Sequence, residues 1–138
     1  MKIRFILLFA TILFVVFAVS LKQRLHAQAA PILSVAIKSG ESIDLQNVYY
    51  VINCKSVLNG PLTAEILDGP PEISASIRTA DVVPRQQGCA RPVQGGTMIM
   101  SAAQVDEPST TRTTIRVSYK TKDGERKLSY TYNVSLLP

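Results

Sequence analysis

The sequence predicts an all-β protein: a single antiparallel β-sandwich with one disulfide, preceded by an N-terminal signal peptide. Three observations carry this reading. From Leu33 onward, apolar residues recur with period two and are cut into short runs by Gly, Pro and Asp turns, with no long stretch of helical period. The only two cysteines, Cys54 and Cys89, both fall in that region. Ahead of it, residues 5–21 form an uncharged apolar run behind the basic start Met1-Lys2-Ile3-Arg4.

The elements follow in order. Leu33, Val35 and Ile37 alternate with Ser34, Ala36 and Lys38, which predicts a first strand, turned by Ser39-Gly40-Glu41-Ser42. Ile43 to Ile52 is a second strand. Its apolar set changes phase from Ile43/Leu45 to Val48/Tyr50/Ile52, and a bulge near Gln46-Asn47 accounts for the change. Asn59-Gly60-Pro61 breaks the chain before a strand over Leu62 to Leu67, and Asp68-Gly69-Pro70-Pro71 is a strong turn. Ile73, Ala75 and Ile77 alternate next, a short piece follows at Val82-Val83, and Pro84 to Gly96 is expected to be a long irregular loop. Thr97 to Ala102 is another strand. The clearest element is a C-terminal hairpin: Thr113, Ile115, Val117 and Tyr119 face one way, Asp123-Gly124 supplies positive φ at the turn, and Leu128, Tyr130, Tyr132, Val134 and Leu136 return on the same apolar face.

Strands with one apolar face each need a second sheet to cover that face. Seven or eight of them in about 109 residues suggest one sandwich domain of immunoglobulin-like type over residues 30–138. The buried Trp and the Cys…Trp…Cys spacing of true immunoglobulin domains are absent. At the level of architecture the chain resembles the short secreted bacterial β-sandwich proteins of unknown function. The resemblance covers most of residues 31–138, carries no diagnostic motif and implies no activity.

The leader ends in Ala27-Gln28-Ala29, the small-x-small pattern read by signal peptidase, with the cut expected between Ala29 and Ala30. The alternative is an uncleaved membrane anchor formed by residues 5–21, with Lys22 and Arg24 beyond it. Either way the domain is exported, to a periplasmic or extracellular location; no membrane span remains if the leader is cleaved. Removing residues 1–29 changes the composition. Four of the 15 basic residues (Lys2, Arg4, Lys22, Arg24) and none of the 10 acids lie in the leader, which leaves 11 basic against 10 acidic residues. The excess positive charge therefore belongs to targeting, and no nucleic-acid partner is expected. The leader also holds all four Phe and the only His, His26. Residues 30–138 thus lack the usual near-neutral general base and the commonest metal ligand. Ser-His-Asp and Cys-His nucleophiles and His-containing zinc or copper sites are excluded. No metal or other cofactor is expected.

In an oxidising compartment Cys54 and Cys89 form a disulfide, and their spacing is unlike the Cys-x-x-Cys of redox pairs. Cys89 lies inside the loop 84–96, whereas Cys54 ends the second strand beside Lys55. The cross-link would pin a long loop that shows Arg85 and Arg91 near Lys55 with no acid between Pro84 and Gly96. Long irregular loops are functional or disordered, and a cross-link with two prolines argues against disorder. Lys55, Arg85 and Arg91 are therefore the candidate binding residues. The bland alternative is a solvated loop whose bridge supplements a modest core.

Other signals weigh less. Met98 and Met100 share a strand face and are expected in the core, although a thioether pair is also a soft ligand set. Asp106-Glu107 and Asp68/Glu72 flank Pro-containing turns, where acids are common, and no Trp or Phe follows the leader to stack on a sugar. Asn133-Val134-Ser135 matches a glycosylation sequon in mid-strand. Tyr119, Tyr130 and Tyr132 are expected to build the core with their hydroxyls at its edge. The first functional expectation is a non-enzymatic exported binding module that uses loop 84–96 on an unknown protein or an anionic envelope polymer. The second is a structural subunit of a surface fibre or envelope assembly. In outline the chain is similar to chaperone-assembled pilus subunits in its export signal, single disulfide and alternating C-terminal strand. Those subunits lack one strand, however, whereas this chain supplies a full set. The third is a small enzyme working through carboxylates or tyrosine.

Overall fold

A computed structural model describes residues 32–138; the leader, its cut at Ala29-Ala30 and the alternative anchor over residues 5–21 lie outside the described residues. The described chain is all β, apart from one three-residue 3-10 helix at Arg85–Gln87. Its strands are β1 (Leu33–Lys38), β2 (Ser42–Val48), β3 (Val51–Ile52), β4 (Lys55–Ser56), β5 (Thr63–Asp68), β6 (Ile73–Val82), β7 (Val93–Ala102), β8 (Ser109–Thr121) and β9 (Gly124–Leu137). They form a four-stranded sheet in the order β1-β9-β8-β5, a three-stranded sheet β2-β7-β6, and the small hairpin β3-β4.

The two larger sheets bury their apolar faces in one shared core. Ile37, Ile115, Val117, Tyr119, Tyr132, Val134 and Leu136 come from the first sheet; Val48, Ile73, Met98, Met100 and Ala102 come from the second. The alternation seen in the sequence is what makes this possible, because every second side chain of a strand points to the same face. Met98 and Met100 are fully buried, i and i+2 on β7, the central strand of its sheet.

Four features differ from the sequence expectation. The second strand stops at Val48, its bulge falls between Asp44 and Gln46, and Val51–Ile52 belongs to a separate hairpin. Ile73 to Val82 is one continuous strand rather than two pieces. The irregular stretch ends at Pro92, because Val93–Gly96 pairs with Asp81, Thr79 and their neighbours as the first third of β7. Gly95-Gly96 reads as loop in sequence, yet it serves close packing: a Cβ on Gly95 would sit 2.6 Å from the Val48 carbonyl oxygen, and one on Gly96 would sit 2.6 Å from Ile77 Cγ2. Finally, β1 runs parallel to β9, from Leu33↔Tyr132 to Lys38↔Leu137, whereas every other ladder is antiparallel. These two strands come from opposite ends of the domain, so no hairpin dictates their relative direction.

Candidate functional site

The site grows from the disulfide. Asn53 and Cys54 are the two central residues of the β3-β4 hairpin, and both take positive φ, 51° and 59°. That is the turn geometry whose twist suits a two-residue hairpin. Cys54 is therefore at a hairpin tip, one step beyond the strand end expected for it. Ser56 Oγ, on the returning strand, donates to the Gln94 carbonyl at 3.1 Å and ties the hairpin to β7. From this tip Cys54 bridges to Cys89, with Cα atoms 5.5 Å apart.

Cys89 closes a compact segment. The Pro84 carbonyl accepts from the Gln87 and Cys89 amides at 3.1 and 3.2 Å, and the Arg85 carbonyl accepts from Gly88 N–H at 2.9 Å. Gly88 takes the left-handed φ of 74° that ends the 3-10 turn. The pinned loop is thus residues 84–92, shorter than the predicted 84–96 and with one 3-10 turn in it.

Arg85, Gln86 and Gln87 form one rim of a cleft of about 450 Å³. Its other walls are Gln46–Val48 at the end of β2 with Tyr49 just beyond it, and Tyr119, Leu128 and Tyr130 from the β8-β9 hairpin. The lining contains one cation, four side-chain amides and three tyrosines, and no acid. Asn47 Oδ1 accepts from Thr97 Oγ1 at 3.3 Å, whereas Gln46, Gln86 and Gln87 make no side-chain hydrogen bond to a described residue. The tyrosine wall is packed and hydrogen-bonded. Tyr119 is buried against Tyr50, with ring centroids 5.9 Å apart, and its hydroxyl is hydrogen-bonded to that of Tyr130 at 3.2 Å. Burial first, and then the Tyr130 hydrogen bond, hold the Tyr119 hydroxyl neutral far above the usual tyrosine range. Burial, with Tyr130 nearby, pushes Tyr132 up to about 12. Neither phenol is set up as a base at neutral pH.

Of the three predicted cations Arg85 lines the cleft, whereas Lys55, next to Cys54, and Arg91, two residues beyond Cys89, are not part of its lining. Among the described residues the ion pairs are Arg78–Asp44 and Arg116–Glu65, both 2.6 Å, and Lys127–Glu125 at 3.3 Å, so none of the three cations is engaged. Sequence reasoning did not single out Gln46, Tyr49, Gln86, Gln87, Leu128 or Tyr130 as site residues. Only the change of phase at Gln46-Asn47 hinted that β2 ends in an unusual way. No protein-family model, curated protein or solved structure matches the chain.

Proposed function

We propose that this protein is an exported, non-enzymatic binding module that engages an anionic, extended partner through the Arg85 cleft. In this reading residues 1–29 are a signal peptide, and the two packed sheets are a sandwich of immunoglobulin-like type, as in the short secreted bacterial β-sandwich proteins it resembles. The disulfide supports a compartment outside the cytoplasm, where such bonds persist. The observation that carries the reading is Arg85. It stands on the rim of an acid-free cleft, unpaired among the described residues, on a segment fixed by the cross-link. A guanidinium held this way is a ready donor pair for a carboxylate or phosphate. The free amides of Gln46, Gln86 and Gln87 add neutral donors and acceptors beside it.

Amide chemical-shift mapping with soluble poly-glutamate and with polygalacturonate tests this. Shifts centred on Arg85, Gln86 and Leu128, weakened by added salt and by Arg85→Gln, are expected. Shifts confined to Lys55 and Arg91, or none with either polyanion, would overturn the cleft as the binding site.

A further inference from the structure

The cleft has a second property, which lies in the backbone. β1 is six residues long and β9 fourteen. Their ladder covers Tyr132 to Leu137 of β9. The first eight residues of β9, Gly124–Thr131, pair with β8 on one side and, among the described residues, with no strand on the other.

Ladder parity says which groups are left over. Thr121↔Gly124 closes a two-residue hairpin, and the pairing runs to Ser109↔Leu136 without a register shift. Even-numbered residues of β9 therefore exchange hydrogen bonds with β8, and odd-numbered ones turn away from it. The Leu137 carbonyl agrees, since it accepts from Ser39 N–H at 2.8 Å on the β1 side. Glu125, Lys127, Ser129 and Thr131 thus aim their N–H and C=O groups at the open side. In the same stretch Leu128 is 47% exposed, a large apolar side chain that shares the cleft with Tyr130.

Resting on the reading of the cleft as a binding site, we propose that Gly124–Thr131 of β9 is a strand-addition site for an extended, acidic polypeptide segment of about eight residues. The added strand continues the line of β1. Its backbone pairs with the odd-numbered residues of β9, its inward apolar side chains cover Leu128 and Tyr130, and a carboxylate meets Arg85. Donors and acceptors that repeat every second residue, about 6.8 Å apart, match a peptide backbone and no polysaccharide. The acidic character follows from charge: Arg85 and Arg126 are unpaired among the described residues, and Glu125 is held by Lys127. Lys127 and Arg126 also disfavour the same edge of a second copy, the usual guard against self-pairing.

The test titrates the oxidised protein with a capped octapeptide of alternating Val and Glu in which the Val at one end is also replaced by Glu, so that one carboxylate shares the inward face, and with two derivatives N-methylated at alternate residues, one for each parity. The unmodified peptide is expected to bind, with one methylated form weakened at least tenfold and the other much less. Ser129→Pro removes an outward N–H that β8 does not use, and is expected to weaken the peptide at least tenfold. The methylated peptides give the answer on the unaltered protein even if that variant folds poorly. Equal binding of all three peptides would overturn strand addition. So would peptide-free dimerisation lost in Ser129→Pro. Polygalacturonate binding without peptide binding would also sink strand addition while leaving the Arg85 cleft standing. Absence of binding by every probe would remove both.

Discussion

Tyr132 is 1% exposed, and among the described residues its hydroxyl has no hydrogen-bond partner; the hydroxyl of Thr113, its cross-strand partner, is in the same condition. A buried hydroxyl without a protein partner is a net cost to folding, so Tyr132→Phe keeps the ring and removes the cost. The melting temperature of that variant should hold or rise, by up to several degrees for about 1 kcal/mol in a domain of this size. A clear fall would show that the hydroxyl is bonded in solution. Tyr119→Phe is the contrast, because it breaks a hydrogen bond to Tyr130 and should destabilise by about 1 kcal/mol. Gly95 makes a sharper case. An added methyl would meet the Val48 carbonyl oxygen at 2.6 Å and Val82 Cγ2 at 2.7 Å, so strands β2 and β6 on both sides of β7 would have to move. Gly95→Ala should cost about 1–3 kcal/mol in chemical denaturation, as overpacking does elsewhere; a neutral result would mean the strands separate easily at this point.

At the scale of elements, the cross-link between the β3-β4 hairpin tip and the 84–92 segment closes a 35-residue stretch. Chain entropy assigns it roughly 3–4 kcal/mol, a large share of a small domain's stability. Cys54→Ser and Cys89→Ser should each lose about this much, and the double variant no more than either, because the two residues act as a unit. Clearly additive losses would show that they are not bonded to each other. The pairing was legible because only two cysteines exist. The strands of the C-terminal hairpin were legible because Thr113 to Tyr119 and Tyr130 to Leu136 alternate without interruption. The turn was only half legible: Gly124 has positive φ and Asp123 does not. Val93–Gly96 was missed because Gly-Gly carries turn propensity, whereas here it relieves a close backbone approach that only the tertiary arrangement creates. The cleft was hardest to see. Arg85 was legible from its place near Cys89, but Leu128 and Tyr130 became site residues only because β1 stops at Leu33, opposite Tyr132. An early end to a pairing is a fact about two strands more than 90 positions apart, and local pattern does not encode it.

For the molecule as a whole, titration gives a stability profile with one plateau and two limbs. Residues 30–138 contain no histidine, so no side chain there has an ordinary pKa between pH 5 and 8. Stability changes with pH only where folded and unfolded states bind different numbers of protons, so the melting temperature should be nearly flat across that range. On the acid side the Glu65 carboxyl is held below its usual value by the hydrogen bond from Arg116. A depressed folded pKa gives stability that is present above the unfolded value and lost as pH falls through the folded one. The Glu65 part of the acid limb should therefore begin as pH falls through the ordinary glutamate range, end below it, and be absent in Glu65→Gln. On the alkaline side the shifts of Tyr119 and Tyr132 are upward, caused first by burial. Between about pH 10, the ordinary tyrosine value, and the raised folded value, the unfolded chain has lost protons that the folded chain keeps. Stability is then full below pH 10 and falls as pH rises, through about 12 for Tyr132 and beyond it for Tyr119. Tyr132→Phe removes part of that slope and leaves the plateau as flat, at the same or a higher melting temperature, and melting curves from pH 3 to pH 12 would show both limbs. A steep loss between pH 6 and 7 would contradict this profile. It would mean that a carboxylate is strongly raised by burial, the kind of group that acid–base catalysis uses, and a non-enzymatic binding module would no longer describe the protein.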